Sequence, residues 1–195
     1  MNYAGKRVLV TGHTGFVGKW LTTWLEMLGA DVYGVSLPQD LRLPWVASDA
    51  VIDSWAEIVF HLAAQALVGE SYDDPLGTFE TNVMGTVNVL DAARLSPSVK
   101  ATVVITSDKC YAPSGGLHAE SDPLGGNDPY SASKGAAEFI VNAYRESFGL
   151  HVATARAGNI IGGGDLAEGH IVPDCIRALR DGTTVQLRNP TAIRP

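Results

Sequence analysis

A chain of 195 residues, 46% hydrophobic and 18% charged, can bury one sizeable core, and that length suits one domain with a small appendage. A net charge of −7 without a Lys/Arg run argues against nucleic acid as the main partner. No apolar run approaches the ~18 residues that would cross a membrane, the polar start from Met1 to Lys6 lacks signal-peptide character, and the two cysteines, Cys110 and Cys175, fit neither a metal site nor a disulfide framework.

The cytoplasm is therefore the expected compartment. Along the chain, Arg7 to Thr11 reads as a short buried strand. It runs into Gly12-His13-Thr14-Gly15-Phe16-Val17-Gly18, after which Phe16, Val17, Trp20, Leu21, Trp24, Leu25 and Leu28 recur at helical spacing. Trp20, Trp24 and the leucines between them are expected in the core, and Gly29 suits a helix stop. Val32 to Val35 and Ile58 to Leu62 read as strands. Ser36 to Asp53 carries two prolines and only a weak helical signal near Trp45 to Trp55. Phe79, Val83, Val87 and Leu90 mark a helix, and Thr102 to Ile105 ends a strand. A helix from about Ser131 to Phe148 leads into the strand Val152 to Ala155. Beyond Gly158 come Gly162-Gly163-Gly164 (a hinge or a substrate loop), a short helix (Asp174 to Arg180) and a strand (Val185 to Arg188). Strands alternating with helices predict an α/β fold, a Rossmann-like doubly wound parallel sheet.

Two stretches carry chemistry. Glycines at 12, 15 and 18, between a strand and an amphipathic helix, let a backbone approach a pyrophosphate, with helix N–H groups behind it. Dinucleotide binding is the expectation, although Ser36 and Leu37 stand where an acidic residue for the ribose belongs. The second stretch is Thr106-Ser107-Asp108-Lys109-Cys110-Tyr111 at a strand tip, followed by Tyr130-Ser131-Ala132-Ser133-Lys134. Tyr130 and Lys134, four apart on a helix, point the same way. Together with Ser107 they supply a base for an alcohol proton, while Asp108 and Lys109 form a separate acid/base pair. To act as a base Lys109 must be neutral, against a reference pKa of about 10.4, which calls for a dry site. His61 is expected to pack at a strand end and His13 to sit in the turn.

Gly12-x-x-Gly15-x-x-Gly18, His61-Leu62-Ala63-Ala64-Gln65, Asn82 and Tyr130-x-x-x-Lys134 resemble the extended short-chain dehydrogenase/reductases, the NAD-dependent epimerase/dehydratase group. Ile105 to Tyr111, Asp128 to Ser131, Arg156 to Asp165 and Arg188 to Pro195 are most similar to the branch that dehydrates CDP-glucose. In particular, Lys109 stands where other sugar dehydratases tend to carry a glutamate.

The resemblance implies NAD as cofactor, CDP-glucose as the nucleotide-sugar substrate, and Ser107, Asp108, Lys109, Tyr130 and Lys134 as catalytic residues. It implies that Gly12, Thr14, Gly15, Phe16, Val17, Gly18, Asp40, Leu41, Leu62, Ala63, Ala64, Gln65 and Asn82 hold the cofactor, with Tyr130 and Lys134. Asn159 and Arg194 match positions that face the nucleotide sugar, and a homodimer through the helices around Asn82 and Tyr130 is implied. Residues 1–158 are then the NAD-binding domain, shortened between 36 and 57 by the helix and strand that normally precede Asp40-Leu41. Residues 159–195 begin a substrate domain that the family continues beyond Pro195. Gly69 stands where an arginine is usual. Two alternatives remain: a nucleotide-sugar 4-epimerase or reductase, which needs no Asp108-Lys109 pair, and a non-catalytic NAD-binding remnant.

Overall fold

The computed structural model describes residues 2–36, 40–113, 116–187 and 190–191, without the side chains of 45 and 52–54. It divides into two compact units, Met1–Ala157 and Gly158–Pro195. The elements of the first unit are β1 (Arg7–Thr11), α1 (Phe16–Met27), β2 (Asp31–Val35), α2 (Pro44–Ser54), β3 (Ile58–His61), α3 (Val68–Asp73), α4 (Pro75–Phe79), a π turn (Glu80–Met84), α5 (Gly85–Leu95), β4 (Ala101–Ser107), a 3-10 turn (Asp108–Cys110), α6 (Pro129–Phe148) and β5 (Val152–Ala157). The second unit holds α7 (Ile171–Arg180).

The five strands form one parallel sheet in the order β2-β1-β3-β4-β5. Side chains alternate across it. On β1, Val8 and Val10 pack with Leu25 of α1, while Leu9 joins Val59 of β3, Val51 of α2 and Val89 of α5. The α/β class expected from the sequence is thus present, with helices on both faces. After β2 the chain returns past β1 to β3, so the direction of strand addition reverses between β1 and β3. Ligands of such sheets bind outside the carboxyl ends of the strands at that reversal.

Register explains why β4 carries a tip. His61, the last residue of β3, pairs with Val104, and β5 runs beside β4 to the Ser107–Ala157 pair. Ile105, Thr106 and Ser107 therefore project past β3 towards the reversal point.

Three expectations need correction. Trp20 and Trp24 are 59% and 63% exposed, outside the core. The row of α1 that meets the sheet is Gly18, Leu21 and Leu25, and one residue's step along a helix turns about 100° away from it. The helix expected through Phe79 and Leu90 is present and unbroken, but its face is displaced: α4 ends at Phe79, a π turn widens the helix, and α5 continues from Gly85. The wider turn shifts the facing residues, so Phe79 is exposed while Asn82, Thr86 and Val89 are buried. Finally, Val185 to Leu187 form no strand and Arg188 lies outside the described residues; no neighbouring strand among the described residues supplies the ladder that this segment would need. The weak helical signal near Trp45 corresponds to α2.

Candidate active site

The glycine turn joins β1 to α1 at the reversal point. Gly12 has φ of +74°, and a Cβ there would lie 2.8 Å from the Ala63 nitrogen. Its N–H donates to the Val35 carbonyl at 2.6 Å. Gly15 is the residue before the first turn of α1, and a Cβ on Gly18 would come within 2.1 Å of the Gly12 carbonyl oxygen. Only glycine backbones pass this closely. Gly18→Ala is accordingly expected to cost about 2–3 kcal/mol, measured by urea unfolding, because the neighbour is backbone and cannot rotate away. Thr14 is exposed, its N–H donating to Ser36 Oγ at 3.1 Å, and His13 Nδ1 shares that hydroxyl. Ser36 thus ties the turn to the end of β2. Phe16 and Val17, half-buried, open α1, where the first N–H groups have no intrahelical acceptor.

Across from the turn, Leu62 to Gln65 leave the end of β3 half-buried. The Asn82 side chain clasps Gln65 from both sides, accepting from its N–H at 2.8 Å and donating to its carbonyl at 3.0 Å. Asn82 also donates to Ser133 Oγ of α6 at 2.9 Å. Asp40 is paired with Arg42 at 2.7 Å, and that guanidinium holds its carboxyl below the usual range. Leu41 is buried in the core with Val35 and Val51. Gly69 is exposed on α3, with open space where a side chain would project.

The tip of β4 faces α6. Asp128 caps α6 by accepting from the Ser131 N–H at 2.9 Å, and Pro129 follows in the first turn, where a missing N–H costs nothing. These two residues set where Tyr130 begins. Ser107 Oγ donates to Asp108 Oδ1 at 3.0 Å and accepts from the Lys109 N–H at 3.3 Å, and it lies close enough to the Tyr130 phenol to act on its proton. Burial pushes the Tyr130 phenol up, while the Ser107 hydroxyl pulls it down. Lys134 Nζ lies 6.0 Å from the centre of the Tyr130 ring and donates to the Ile105 carbonyl at 3.2 Å. Burial lowers its amine to about 8. Asp108 and Lys109, half-buried, sit in the 3-10 turn that Ser107 caps. Cys110 is fully buried, and burial and the Glu138 carboxylate hold its thiol up near 11.

Behind this wall lies a cluster that the sequence reading missed. Glu138 of α6 is 6% exposed. It accepts from Thr106 Oγ1 at 2.5 Å, Thr154 Oγ1 at 2.9 Å and Arg156 Nη2 at 2.8 Å. The other end of Arg156 donates to the Tyr111 hydroxyl and the Glu120 carbonyl, both at 2.9 Å. A glutamate four residues after Lys134, on the buried face of the same helix, was the available signal. Asn159 belongs to the second unit and is exposed; Arg194 lies outside the described residues. No cluster of His, Cys, Asp and Glu fit to hold a metal, and no helix long and apolar enough to cross a membrane, occurs among the described residues.

The chain resembles known proteins in sequence and in fold. The chain is 42% identical, over a 225-residue alignment, to CDP-glucose 4,6-dehydratase of Salmonella typhimurium, covering 99% of this chain and 63% of the relative. The UDP-glucose 4-epimerase of Thermus thermophilus, solved in complex with NAD, superposes with a TM-score of 0.83 at 30% identity, over 93% of this chain and 65% of that one. The dTDP-glucose 4,6-dehydratase DesIV of Streptomyces venezuelae, solved with NAD bound, gives 0.79 at 26% identity, over 92% and 63%. The chain thus spans less than two thirds of the length of each. Residues 8–195 match the family described as the NAD dependent epimerase/dehydratase family, and the chain belongs to it.

Proposed function

We propose that this chain carries the cofactor site and catalytic wall of a sugar-nucleotide 4,6-dehydratase that uses NAD and acts on CDP-glucose. The observation that carries the reading is the β4 tip: Ser107 caps the turn holding Asp108 and Lys109 and stands near the Tyr130 phenol, while the buried Lys134 of the same helix donates to Ile105 of β4. The 42% identity to the Salmonella enzyme supports the substrate. The glycine turn suits NAD, because a Cβ at Gly12 or Gly18 would clash with backbone and the turn opens at a helix N-terminus. Gly12 to Gly18, Leu62 to Gln65, Asn82, Tyr130 and Lys134 would hold it. NAD supplies a reversible acceptor for the hydride of the sugar's C4, later delivered to C6.

The residues then divide the proton work. Tyr130, as phenolate, removes the O4 proton, and Ser107 hydrogen-bonds that oxygen. Burial opposes the phenolate in the chain alone, so Lys134 and the cofactor's positive ring must favour it. The C4 ketone acidifies C5; Lys109 takes that proton while Asp108 protonates the departing C6 hydroxyl. Water leaves as a C5–C6 double bond forms; Lys109 returns its proton to C5 when C6 receives the hydride, and a 4-keto-6-deoxy sugar results. Exposed Met84 of the π turn, Leu95 of α5 and Phe139 of α6 support self-association through these elements.

Purified chain given NAD and CDP-glucose is expected to form a product with the absorbance of a 4-keto sugar in base. Accumulation of the C4 epimer would establish the epimerase reading instead, which the likeness to the Thermus epimerase keeps in view. Retained NAD without turnover would establish a binding remnant. Lys109→Met is expected to keep C4 oxidation and lower elimination by ~10²–10⁴-fold, seen as NADH that persists after a single turnover. Product formation at the parent rate would remove Lys109 from the mechanism.

A further inference from the structure

A string of buried polar side chains runs behind the cofactor corner. Thr11, His61, Asn82, Thr86 and Ser133 are each no more than 2% exposed. His61 Nδ1 lies 2.7 Å from Thr11 Oγ1, and its Nε2 lies 3.3 Å from Thr86 Oγ1. Either ring nitrogen of a neutral histidine can carry the proton, so the neighbours must choose.

Both neighbours point to the same choice. Thr11 Oγ1 accepts from the Ala63 N–H at 3.2 Å and shares the Leu62 N–H, also at 3.2 Å, with the Thr11 carbonyl at 3.1 Å. Two N–H groups thus point at its lone pairs, which leaves its one hydrogen for His61 Nδ1. At the other end, Thr86 Oγ1 donates to the Asn82 carbonyl at 2.7 Å. Its free lone pair faces His61 Nε2, which therefore bears the proton. We infer that His61 is a positioning residue for the cofactor, held as the neutral Nε2–H tautomer and fixing the direction of the hydrogen bonds it makes with the hydroxyls of Thr11 on β1 and Thr86 on α5.

The string reaches further at both ends. Thr11 holds the two residues that open the cofactor loop, and the π turn presents Asn82, whose side chain holds Gln65 and Ser133. Ser133 Oγ donates in turn to the Tyr130 carbonyl at 2.7 Å. One tautomer thus links the end of β1, the Leu62–Gln65 loop and the first turn of α6. The opposite tautomer would aim N–H at a Thr11 hydroxyl whose lone pairs already face two N–H groups, and would leave the Thr86 lone pair unpaired. Protonation of both nitrogens is opposed by burial and by the nearby Lys134 charge, which hold the ring pKa down near 3.

The role as a cofactor positioner rests on the NAD reading; the tautomer does not. Long-range nitrogen–proton NMR on the full chain, without cofactor, is expected to show His61 protonated at Nε2 alone and not titrating from pH ~5 to 8. An Nδ1–H signal, or titration in that range, would overturn the inference. His61→Phe keeps a flat ring but strips both threonines of their partner. It is expected to raise the Kd for NAD roughly tenfold, at a temperature where circular dichroism shows the variant folded, and to shift the Gln65 amide. An unchanged Kd in folded variant would also overturn it. If His61→Phe does not fold, Thr11→Ser, which keeps the hydroxyl, should leave the His61 spectrum as in the parent, and Thr11→Val should alter it. Failure of the parent chain to bind NAD would count against the functional reading and leave the tautomer result standing.

Discussion

Glu138→Ala is expected to destabilise the chain by about 3–5 kcal/mol, a fall of roughly 10 °C in Tm. The carboxylate is buried and serves three donors at once: Thr106, Thr154 and Arg156. Removing it leaves the half-buried Arg156 guanidinium without its anion, and two threonine hydroxyls without an acceptor. Loss of one partner from such a pair costs far more than the pair contributes, because the survivor stays desolvated. The damage is local to the proposed catalytic wall, since Thr106 precedes Ser107 and Glu138 shares α6 with Tyr130 and Lys134.

The acid side of the stability curve tests the same pair. Burial pushes the Glu138 carboxyl up, yet the hydrogen bonds from Arg156, Thr106 and Thr154 prevail and hold it below its ordinary 4.5. A carboxyl depressed in the folded state stabilises it above the unfolded pKa, and that contribution fades as pH falls below about 4.5 and through the lower folded value. Glu138→Gln keeps the shape without the charge. It should be less stable than the parent at neutral pH and lose less on acidification. Parallel acid limbs for the two proteins would show that the ion pair does not set the pH dependence.

How much of this was legible in the residues follows from which interactions are local. Periodicity of two and of 3.6 is written within a segment, so β1, α1, β4 and α6 could be read directly. So could the glycine turn, since a strand followed by closely spaced glycines and an amphipathic helix is a local pattern. The exposure of Trp20 and Trp24 was not, because an apolar helix stripe wider than its contact says nothing of which row meets the sheet. The π turn was equally hidden, as no single residue announces the extra residue that rotates Asn82 and Thr86 inward. Glu138 and Arg156 are 18 residues apart, and Thr11 and His61 are 50 apart. Only the register of β1 with β3, and the packing of α6 on β4 and β5, brings such partners together. Segment patterns thus located the groups proposed to do chemistry, while the groups that hold them still came from the sheet.

Lys134→Met is expected to move stability and chemistry in opposite directions. The amine is buried against the Ile105 carbonyl and its pKa falls from 10.5 to about 8. At neutral pH the folded chain therefore carries a poorly solvated ammonium, and an apolar side chain of similar length should raise the unfolding free energy by about 1–3 kcal/mol. Between pH 8 and 10.5 the unfolded chain still holds a proton that the folded one has released. The stability of the parent should rise with pH across that window through this group, and that rise should be missing in the variant. In the proposed reaction, the same substitution withdraws the cation beside Tyr130, whose phenol burial already pushes up. Single-turnover formation of NADH from CDP-glucose should then fall by ~10²–10⁴-fold. A variant both more stable and far slower would mark Lys134 as a group kept for chemistry at the expense of the fold. A less stable variant would mean instead that the hydrogen bond to Ile105, rather than the burial of charge, decides what Lys134 contributes to the fold.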